Sequence, residues 1–283
     1  MIKKNSTCSI VIVTHDSEKF IGKLVAAIHA QTVQPNQVIF VDTGSKDLTY
    51  LISYLNHHLF SLVIGGKEIG FCKGNNIAMR HVPADTDYVL YLNPDAFLFP
   101  DFLEKAIAFM ENSDNKNCGI VSGRVYGYDI ENNLPTGNFD TTGVFRKWYG
   151  NWYDRGQGKK CCNDLYNKIE EVPAICGALM FCRKKALNSI LINEEEVFDS
   201  SFYMYKEDID LCLRMKKKQW KLIYNPELQA YHCRGWNPNR KQMKRSVRIL
   251  SAKNELIIHL KNLSPIGSCY SAMKYLGVSL FNI

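Results

Sequence analysis

The chain has 283 residues, 46% of them apolar, and a formal net charge of +7 at pH 7. This length and apolar fraction indicate a globular chain with a packed core, in one large domain or two small ones, and not a disordered one. The positive charge belongs to the C-terminal tail, because residues 233–283 contain nine Lys and Arg side chains against one acid.

The ten cysteines are scattered along the chain and include no CxxC pair, which removes support for a zinc ribbon or a redox dithiol. Several of them lie inside apolar runs of strand-like composition. The N-terminal apolar run of about five residues is too short for the core of a signal peptide. We therefore expect buried, reduced thiols and a cytoplasmic protein.

The first hundred residues alternate short apolar runs with helical patterns. Strands are predicted at CSIVIV, QVIFVD, LFSLVIG and DYVLYLN, and helices at about 17–31, 45–58, 74–81 and 101–112. Ser17 and Ser45 stand where helix N-caps belong. One buried face of the first helix is predicted to contain Phe20, Leu24, Ala27 and Ile28. This alternation predicts an α/β fold with a doubly wound, mostly parallel sheet.

The periodicity is lost between residues 126 and 171, where Gly, Asn, Asp and aromatic residues dominate. A stretch of this length predicts a substrate-facing loop region. Regular structure is predicted again at VPAICGALMFC, in a helix around 207–218, in two short strands, KLIYN and LQAYH, and in a basic helix from about 238 to 262.

Polar residues follow the apolar runs at the place where an open parallel sheet binds its ligand, beyond the carboxyl ends of the strands. The first strand ends at Thr14, the second at Asp42, and the fourth is followed by Asn93 and Asp95. Asp42 and Asp95 are predicted to converge on one rim, although each could instead cap the following helix. Neither GxGxxG nor GxxxxGK[ST] occurs, so a nucleotide diphosphate would need a cation, and magnesium uses one or two carboxylates with phosphate oxygens.

Six segments, in order along the chain, resemble the family 2 glycosyltransferases with a GT-A fold. They are IVIVTHDSE, VIFVDTGSKD, EIGFCKGNNIAMR, YLNPDAF, CGALMFCRKKAL and YKEDIDLCLRMKKKQWKLIYNPELQAYH. The resemblance implies a GT-A catalytic domain at residues 1–236, with a nucleotide-sugar-binding half at about 1–125 and an acceptor and catalytic half at 126–236. Residues 237–283 are predicted to form a basic amphipathic helical tail.

The resemblance implies a role for each matched position. The residues expected to bind the nucleotide sugar are Thr14, Asp42, Gly70, Asn76, Asn93 and Asp95. Asp95 would also bind, together with His232, a divalent metal, Mg²⁺ or Mn²⁺, that bridges the two phosphates. Gly177, Ala178 and Trp220 are expected on the acceptor side. The chain departs from the family where Asn93 replaces the first aspartate of the DxD motif, and where Glu68 replaces a common asparagine.

The acid pair Glu207 and Asp208 is predicted to be catalytic. An acceptor hydroxyl is a poor nucleophile until a base removes its proton, and a carboxylate can do so. By the resemblance Asp208 is the base, and Glu207 orients it or binds the acceptor. Helical spacing places Asp208 beside Leu211 and Cys212, which predicts a half-buried carboxyl of raised pKa, the alternative being an ordinary surface ion pair. Direct attack without an enzyme nucleophile predicts inversion at the anomeric carbon.

The segment FDTTGVFRKWYGNWYDRGQGKK at residues 139–160 resembles bacterial rhamnosyltransferases of O-antigen or cell-wall assembly, in which a DRG motif follows an aromatic-rich loop. Asp154 and Arg155 match this motif and are expected on the acceptor side. The resemblance implies a dTDP-rhamnose donor and a glycan or polyprenyl-linked acceptor.

The basic tail leaves two arrangements open. Met243, Val247, Leu250 and Ile257 fall near one helical face, so the helix could lie on the inner face of an anionic membrane or pack on the catalytic domain.

Three other functions also remain open. A sugar nucleotidyltransferase should have a glycine-rich basic loop after the first strand, which is missing. A non-catalytic nucleic-acid-binding module using the tail is disfavoured by the carboxylate rim, and no nucleic acid partner is expected. A degenerate transferase is supported only by Asn93.

Overall fold

The computed structural model describes residues 6–162, 165–234 and 243–281. The strands in these ranges are β1 (Cys8–Thr14), β2 (Gln37–Asp42), β3 (Phe60–Ile64), β4 (Tyr88–Leu92), β5 (Ala96–Leu98), β6 (Cys118–Asp129), β7 (Leu134–Thr141), β8 (Val144–Arg146), β9 (Trp152–Asp154), β10 (Glu170–Glu171), β11 (Leu179–Arg183) and β12 (Lys221–His232). The helices are α1 (Glu18–His29), α2 (Thr49–Ile52), α3 (Gly70–Met79), α4 (Phe102–Glu111), α5 (Lys184–Asn188), α6 (Glu207–Lys217), α7 (Arg245–Lys261) and α8 (Pro265–Leu276).

One large mixed sheet runs through the molecule in the order β10-β12-β6-β11-β4-β1-β2-β3, with β5 paired to β12 and β7 paired to β6. Strands β4, β1, β2 and β3 are parallel neighbours, as predicted for the first hundred residues. Strand β11 is inserted antiparallel between β4 and β6, and β12 runs parallel to β6. The predicted α/β fold with flanking helices is confirmed.

Apolar side chains pack on both faces of the sheet. Helices α1 and α4 cover one face, and α3, α5 and α6 cover the other. In α1 the buried residues are Ile21, Leu24, Val25 and Ile28. Leu24 and Ile28 belong to the predicted buried face, whereas Phe20 and Ala27 are only partly buried. Ser17 precedes α1, but its hydroxyl donates to the His15 carbonyl instead of capping the helix.

Three predicted elements are wrong in detail. The helix expected at 45–58 shortens to α2, in which Leu51 alone is buried, and a helix without an apolar face gains little from packing. The loop expected at 126–171 contains β7, β8 and β9, each of which buries an apolar side chain, namely Phe139, Val144 and Trp152. KLIYN and LQAYH form the single strand β12, interrupted by a bulge between Asn225 and Gln229 that accommodates Pro226.

Helix α7 packs on the catalytic domain, which is one of the two arrangements left open for the tail. Its buried residues are Ala252, Asn254, Glu255, Ile258 and His259. The predicted start of this helix, with Arg240 and Lys241, lies outside the described residues. Within the described ranges no helix combines the length and apolar character needed to cross a membrane. The domain boundary at residue 236 stays a prediction.

Candidate active site

The carboxylate of Asp42 accepts hydrogen bonds from the loop that follows it and from Thr14. One carboxylate oxygen accepts the backbone N–H groups of Gly44 and Ser45 at 2.8 and 2.9 Å, and the other accepts the hydroxyls of Ser45 and Thr14. Both oxygens of the buried carboxylate are therefore already hydrogen-bonded by the protein. Thr14 lies beside it as predicted, but a contact from Asp42 to a nucleotide would require exchange of one of these bonds.

Asn76 and Gly70 connect the nucleotide half of the sheet to the segment before α6. The buried Asn76 side chain bonds both backbone groups of Phe198, donating to the carbonyl at 2.7 Å and accepting from the N–H at 2.9 Å. Gly70 has a φ of +77°, and a Cβ at this position would lie 2.5 Å from the Tyr203 ring. Both residues thus fix where α6 begins, and their predicted contact with the donor stays a prediction.

The dipeptide Gly177–Ala178 joins the two predicted halves of the site. The Gly177 N–H donates to the Asp208 carboxylate at 2.9 Å, and the Ala178 carbonyl accepts from the Asn93 N–H at 3.0 Å. The DxD-like loop and the predicted base therefore lie on either side of one dipeptide. This arrangement follows from the antiparallel pairing of β11 with β4, which places the start of β11 at the carboxyl end of β4.

Asp95 and His232 are neighbours, since β5 pairs with β12 and sets Ala96 opposite His232. The Asp95 carboxylate lies 3.3 Å from Nε2 of His232, and the Asp140 carboxylate lies 2.9 Å from Nδ1. Burial lowers the pKa of His232, but these two carboxylates outweigh it and raise that pKa to about 10. The imidazole is held in one orientation by Asp140.

The Asp95–His232 pair fits a divalent metal. A spacing of 3.3 Å is close to that of two adjacent ligands of one octahedral ion, about 3 Å for bonds of about 2.1 Å. Asp140 behind the histidine is the kind of partner that orients a metal-binding imidazole. Among the described residues no group of three or more His, Cys, Asp or Glu side chains is arranged so that it could hold a metal ion, so diphosphate oxygens would supply the remaining ligands. Binding would displace the proton that His232 otherwise holds.

Arg234 extends the site towards the acceptor side. Its guanidinium lies 2.7 Å from the Asp154 carboxylate and 3.7 Å from that of Asp140. Burial raises the pKa of the Cys176 thiol, the charge of Asp154 raises it further, and that of Arg234 opposes the rise. Beyond the effect of burial, the charge of Asp154 also raises the pKa of Asp208. Asp154 therefore belongs to the same site as Asp208.

The two members of the acid pair have different environments. Burial, and next the charge of Asp208, raise the pKa of Glu207 to about 8. Burial also raises the pKa of Asp208, but the N–H groups of Gly177 and Ile209 oppose the rise by donating to its carboxylate. The pKa of Glu207 is thus raised without an opposing side-chain hydrogen bond from the described part of the chain, whereas the carboxylate form of Asp208 is stabilised by two backbone donors.

Two carboxyl oxygens of the site are buried and have no hydrogen-bond partner among the described residues. They are Oε2 of Glu207 and Oδ1 of Asp154. Buried polar atoms are rarely left unpaired, so these oxygens mark a place where hydroxyl groups of a ligand would be bound.

Two residues predicted on the acceptor side lie elsewhere. Trp220 immediately precedes β12, whereas His232 ends it, and a strand of this length separates them by roughly 30 Å. Trp220 instead donates to the Ser189 hydroxyl at 2.9 Å. Arg155 pairs with Glu170 at 2.7 Å and donates to the Thr142 carbonyl at 2.9 Å, so its guanidinium is used by contacts within the protein.

Asp140 and Arg234 were missed by the sequence analysis. Arg234 follows His232 by two residues, and this spacing could have placed both on one face of an extended segment. Asp140 is the first acid of the DRG-containing segment, but its pairing with His232 spans 92 residues and depends on the fold of β7.

Comparison with known proteins gives a consistent result. The family described as glycosyl transferase family 2 matches residues 9–191. Rhamnosyltransferase WbbL of Escherichia coli (strain K12) is 28% identical over 234 residues, covering 79% of this chain and 82% of that protein. The N-acetylglucosaminyl-diphospho-decaprenol L-rhamnosyltransferase of Mycobacterium tuberculosis (strain CDC 1551 / Oshkosh) is 20% identical over 248 residues, covering 82% and 77%.

The fold is that of the GT-A glycosyltransferases. The crystal structure of GalNAc-T7 with UDP, GalNAc and Mn²⁺ matches with a TM-score of 0.66 at 13% identity. The match covers 91% of this chain and 48% of that chain, so this chain spans about half of it. At this identity the likeness establishes the fold alone.

Proposed function

The chain belongs to glycosyl transferase family 2 and is a glycosyltransferase, and we propose that it inverts the anomeric centre while transferring a sugar from a nucleoside diphosphate to an acceptor hydroxyl. The observation that carries this proposal is the hydrogen bond from the Gly177 N–H to the Asp208 carboxylate, one dipeptide away from the Asn93–Asp95 loop that bonds the Ala178 carbonyl. The arrangement provides a base and a phosphate site on opposite sides of one short segment.

The chemistry assigned to each side chain follows from its surroundings. When bound by Asp95 and His232, a divalent metal would stabilise the negative charge that develops on the diphosphate. Asp208 accepts the proton of the acceptor hydroxyl as the new bond forms. The side chains of Glu207 and Asp154 bind ligand hydroxyls through their unpartnered oxygens. No carboxylate is assigned as a covalent nucleophile, which leaves direct displacement with inversion.

We further propose dTDP-rhamnose as the donor and a glycan or polyprenyl-linked molecule as the acceptor. The DRG-containing segment supports this, as do two relatives whose names include rhamnosyltransferase, one of them specifying a decaprenol-linked substrate. The reaction would take place in the cytoplasm, with the enzyme attached peripherally to the inner face of the membrane.

The proposal is tested by donor turnover and by removal of the base. The full chain is incubated with dTDP-rhamnose, UDP-GlcNAc or GDP-mannose and with Mn²⁺ or Mg²⁺, and release of the nucleoside diphosphate is measured. Asp208→Asn should abolish transfer while leaving the Kd for the donor unchanged. Asp101→Asn, at the start of α4 and outside the site, is the matched control and should retain activity. Near-normal turnover by Asp208→Asn would remove Asp208 from the mechanism.

A further inference from the structure

Helix α8 turns its polar face towards the protein and its apolar face outward, the reverse of an ordinary amphipathic helix. Its small and polar face packs on α7: Gly267 and Ser271 are buried, and Lys274 pairs with the buried carboxylate of Glu255. The apolar side chains on the other face point outward, with exposures of 57% for Ile266, 68% for Met273 and 53% for Leu276. Soluble helices normally turn such a stripe inward, so an outward stripe indicates an interaction surface.

The apolar surface continues onto the loop between β8 and β9. Trp148 is 82% exposed, and with Tyr149 it lines a groove of about 600 Å³ whose other wall is formed by Ile266, Tyr270 and Met273. The rings of Tyr149 and Tyr270 contact each other at a centroid distance of 4.9 Å. We call Trp148, Ile266, Met273 and Leu276 the docking face.

Positive charge surrounds the docking face, and no exposed negative charge of α7 or α8 opposes it. Glu255 is the single acid in these two helices, and its side chain is fully buried. Exposed arginines stand at both ends of α8: Arg146 donates to the Ser264 hydroxyl, and Arg245 donates to the Ser279 carbonyl. The surface is thus apolar in its centre and cationic at its margins.

This combination is complementary to an anionic lipid bilayer. Apolar side chains enter the boundary between headgroups and acyl chains, while each nearby cation attracts anionic headgroups. Exposed Trp and Tyr rings suit the same boundary, because each has an apolar body and a polar edge. A second copy of the chain would instead oppose one cationic margin with another, and like charges across an interface are unfavourable.

We propose that the docking face binds the anionic surface of a lipid bilayer. This proposal takes its membrane-bound acceptor from the proposed function. The loop that carries Trp148 leads directly into β9 and Asp154, which belong to the acceptor side of the site. Docking would bring the acceptor side of the site to the bilayer, where a polyprenyl-linked sugar would be held.

Binding is measured by sedimentation of the full chain with vesicles of phosphatidylethanolamine and phosphatidylglycerol, and with vesicles of phosphatidylcholine alone. The wild type should sediment with the anionic vesicles, and added salt should weaken this binding. The triple variant Ile266→Ser/Met273→Ser/Leu276→Ser should bind at least about tenfold more weakly. The matched control Ile64→Ser/Leu134→Ser changes side chains that are 62% and 59% exposed elsewhere on the surface, and it should bind like the wild type.

A second measurement does not depend on the triple variant being folded. Brominated lipids should quench tryptophan fluorescence of the wild type, and Trp148→Phe should remove most of that quenching. Failure of the wild type to bind anionic vesicles, or equal binding by the triple variant, would overturn the proposal. The proposal would also be overturned if the wild type formed a dimer, the triple variant were monomeric, and neither protein bound vesicles. Asp208→Asn should bind vesicles normally, which separates this proposal from that of the catalytic function.

Discussion

The side chain of Asn254, in α7, holds the loop that leads into the acid pair. Its amide nitrogen donates to three backbone carbonyls at 2.8 to 3.0 Å, those of Phe202, Met204 and Tyr205. In this loop three non-glycine residues have positive φ, namely Tyr203 (60°), Tyr205 (68°) and Lys206 (71°). Such conformations are costly and persist only where surrounding contacts impose them. Asn254 provides those contacts immediately before Glu207 and Asp208.

Asn254→Ala should therefore affect both stability and catalysis. Two N–H donors serve the three carbonyls, and the Phe202 carbonyl would keep only its bond from the Met204 N–H at 2.7 Å. Each hydrogen bond contributes about 1 kcal/mol, so a loss of about 2–3 kcal/mol is expected. If the loop relaxes by about 1 Å, the base moves with it, and kcat should fall roughly tenfold to a hundredfold. The KM for the donor should change much less, because the Asp95–His232 pair lies on other elements.

Urea unfolding and steady-state kinetics test this prediction together. Asn262→Ala is the matched control, since Asn262 ends the same helix and donates only a local hydrogen bond to the Ile258 carbonyl at 2.8 Å. Asn254→Asp, which keeps the shape but removes the N–H donors, should be as harmful as Asn254→Ala. Equal stability losses at positions 254 and 262, together with an unchanged kcat in Asn254→Ala, would refute the reasoning.

Three further predictions concern single residues. The pKa of Glu207 is raised by burial from 4.5 to about 8, so the free energy of unfolding should fall as the pH rises between these values. Glu207→Gln should remove that fall. Stability profiles that run parallel for the variant and the wild type would contradict this prediction. Asp140→Asn should weaken Mn²⁺ binding about tenfold or more in calorimetry, because His232 loses its orienting partner, and unchanged binding would exclude that role. Gly70→Ala, at a φ of +77°, should cost about 1–3 kcal/mol in thermal unfolding, whereas Gly277→Ala, with open space around its Cβ, should not.

The site shows where inference from sequence succeeds. Asn93, Asp95 and His232 were predicted from motif positions, and so were Gly177 and Asp208. Each of them lies within two residues of the start or end of a regular element. Strand ends on one edge of a sheet lie together, which was the reason to expect polar residues such as Asp95 at one rim, whereas the family resemblance supplied His232, Gly177 and Asp208.

The failures have a different cause. Trp220 was placed on the acceptor side because it lies in a matched segment, but β12 separates it from His232. The nucleotide contact predicted for Asp42 stays a prediction, because its carboxylate is hydrogen-bonded by Thr14 and by the loop at Gly44 and Ser45. Proximity in sequence does not report the direction in which a side chain points or the partners it finds.

Periodicity and motif order in the sequence by themselves determined the α/β class, the parallel strands of the first half, and the positions of the acid pair and of Asp95 and His232. These features depend on local patterns, and hydrophobic spacing records which residues are buried. Tertiary structure alone decided that α7 packs on the catalytic domain, that Asp140 supports His232, and that α8 turns its apolar face outward. Those outcomes depend on contacts between residues far apart in the chain. Such contacts produce no hydrophobic periodicity in either segment, so the sequence pattern does not predict them.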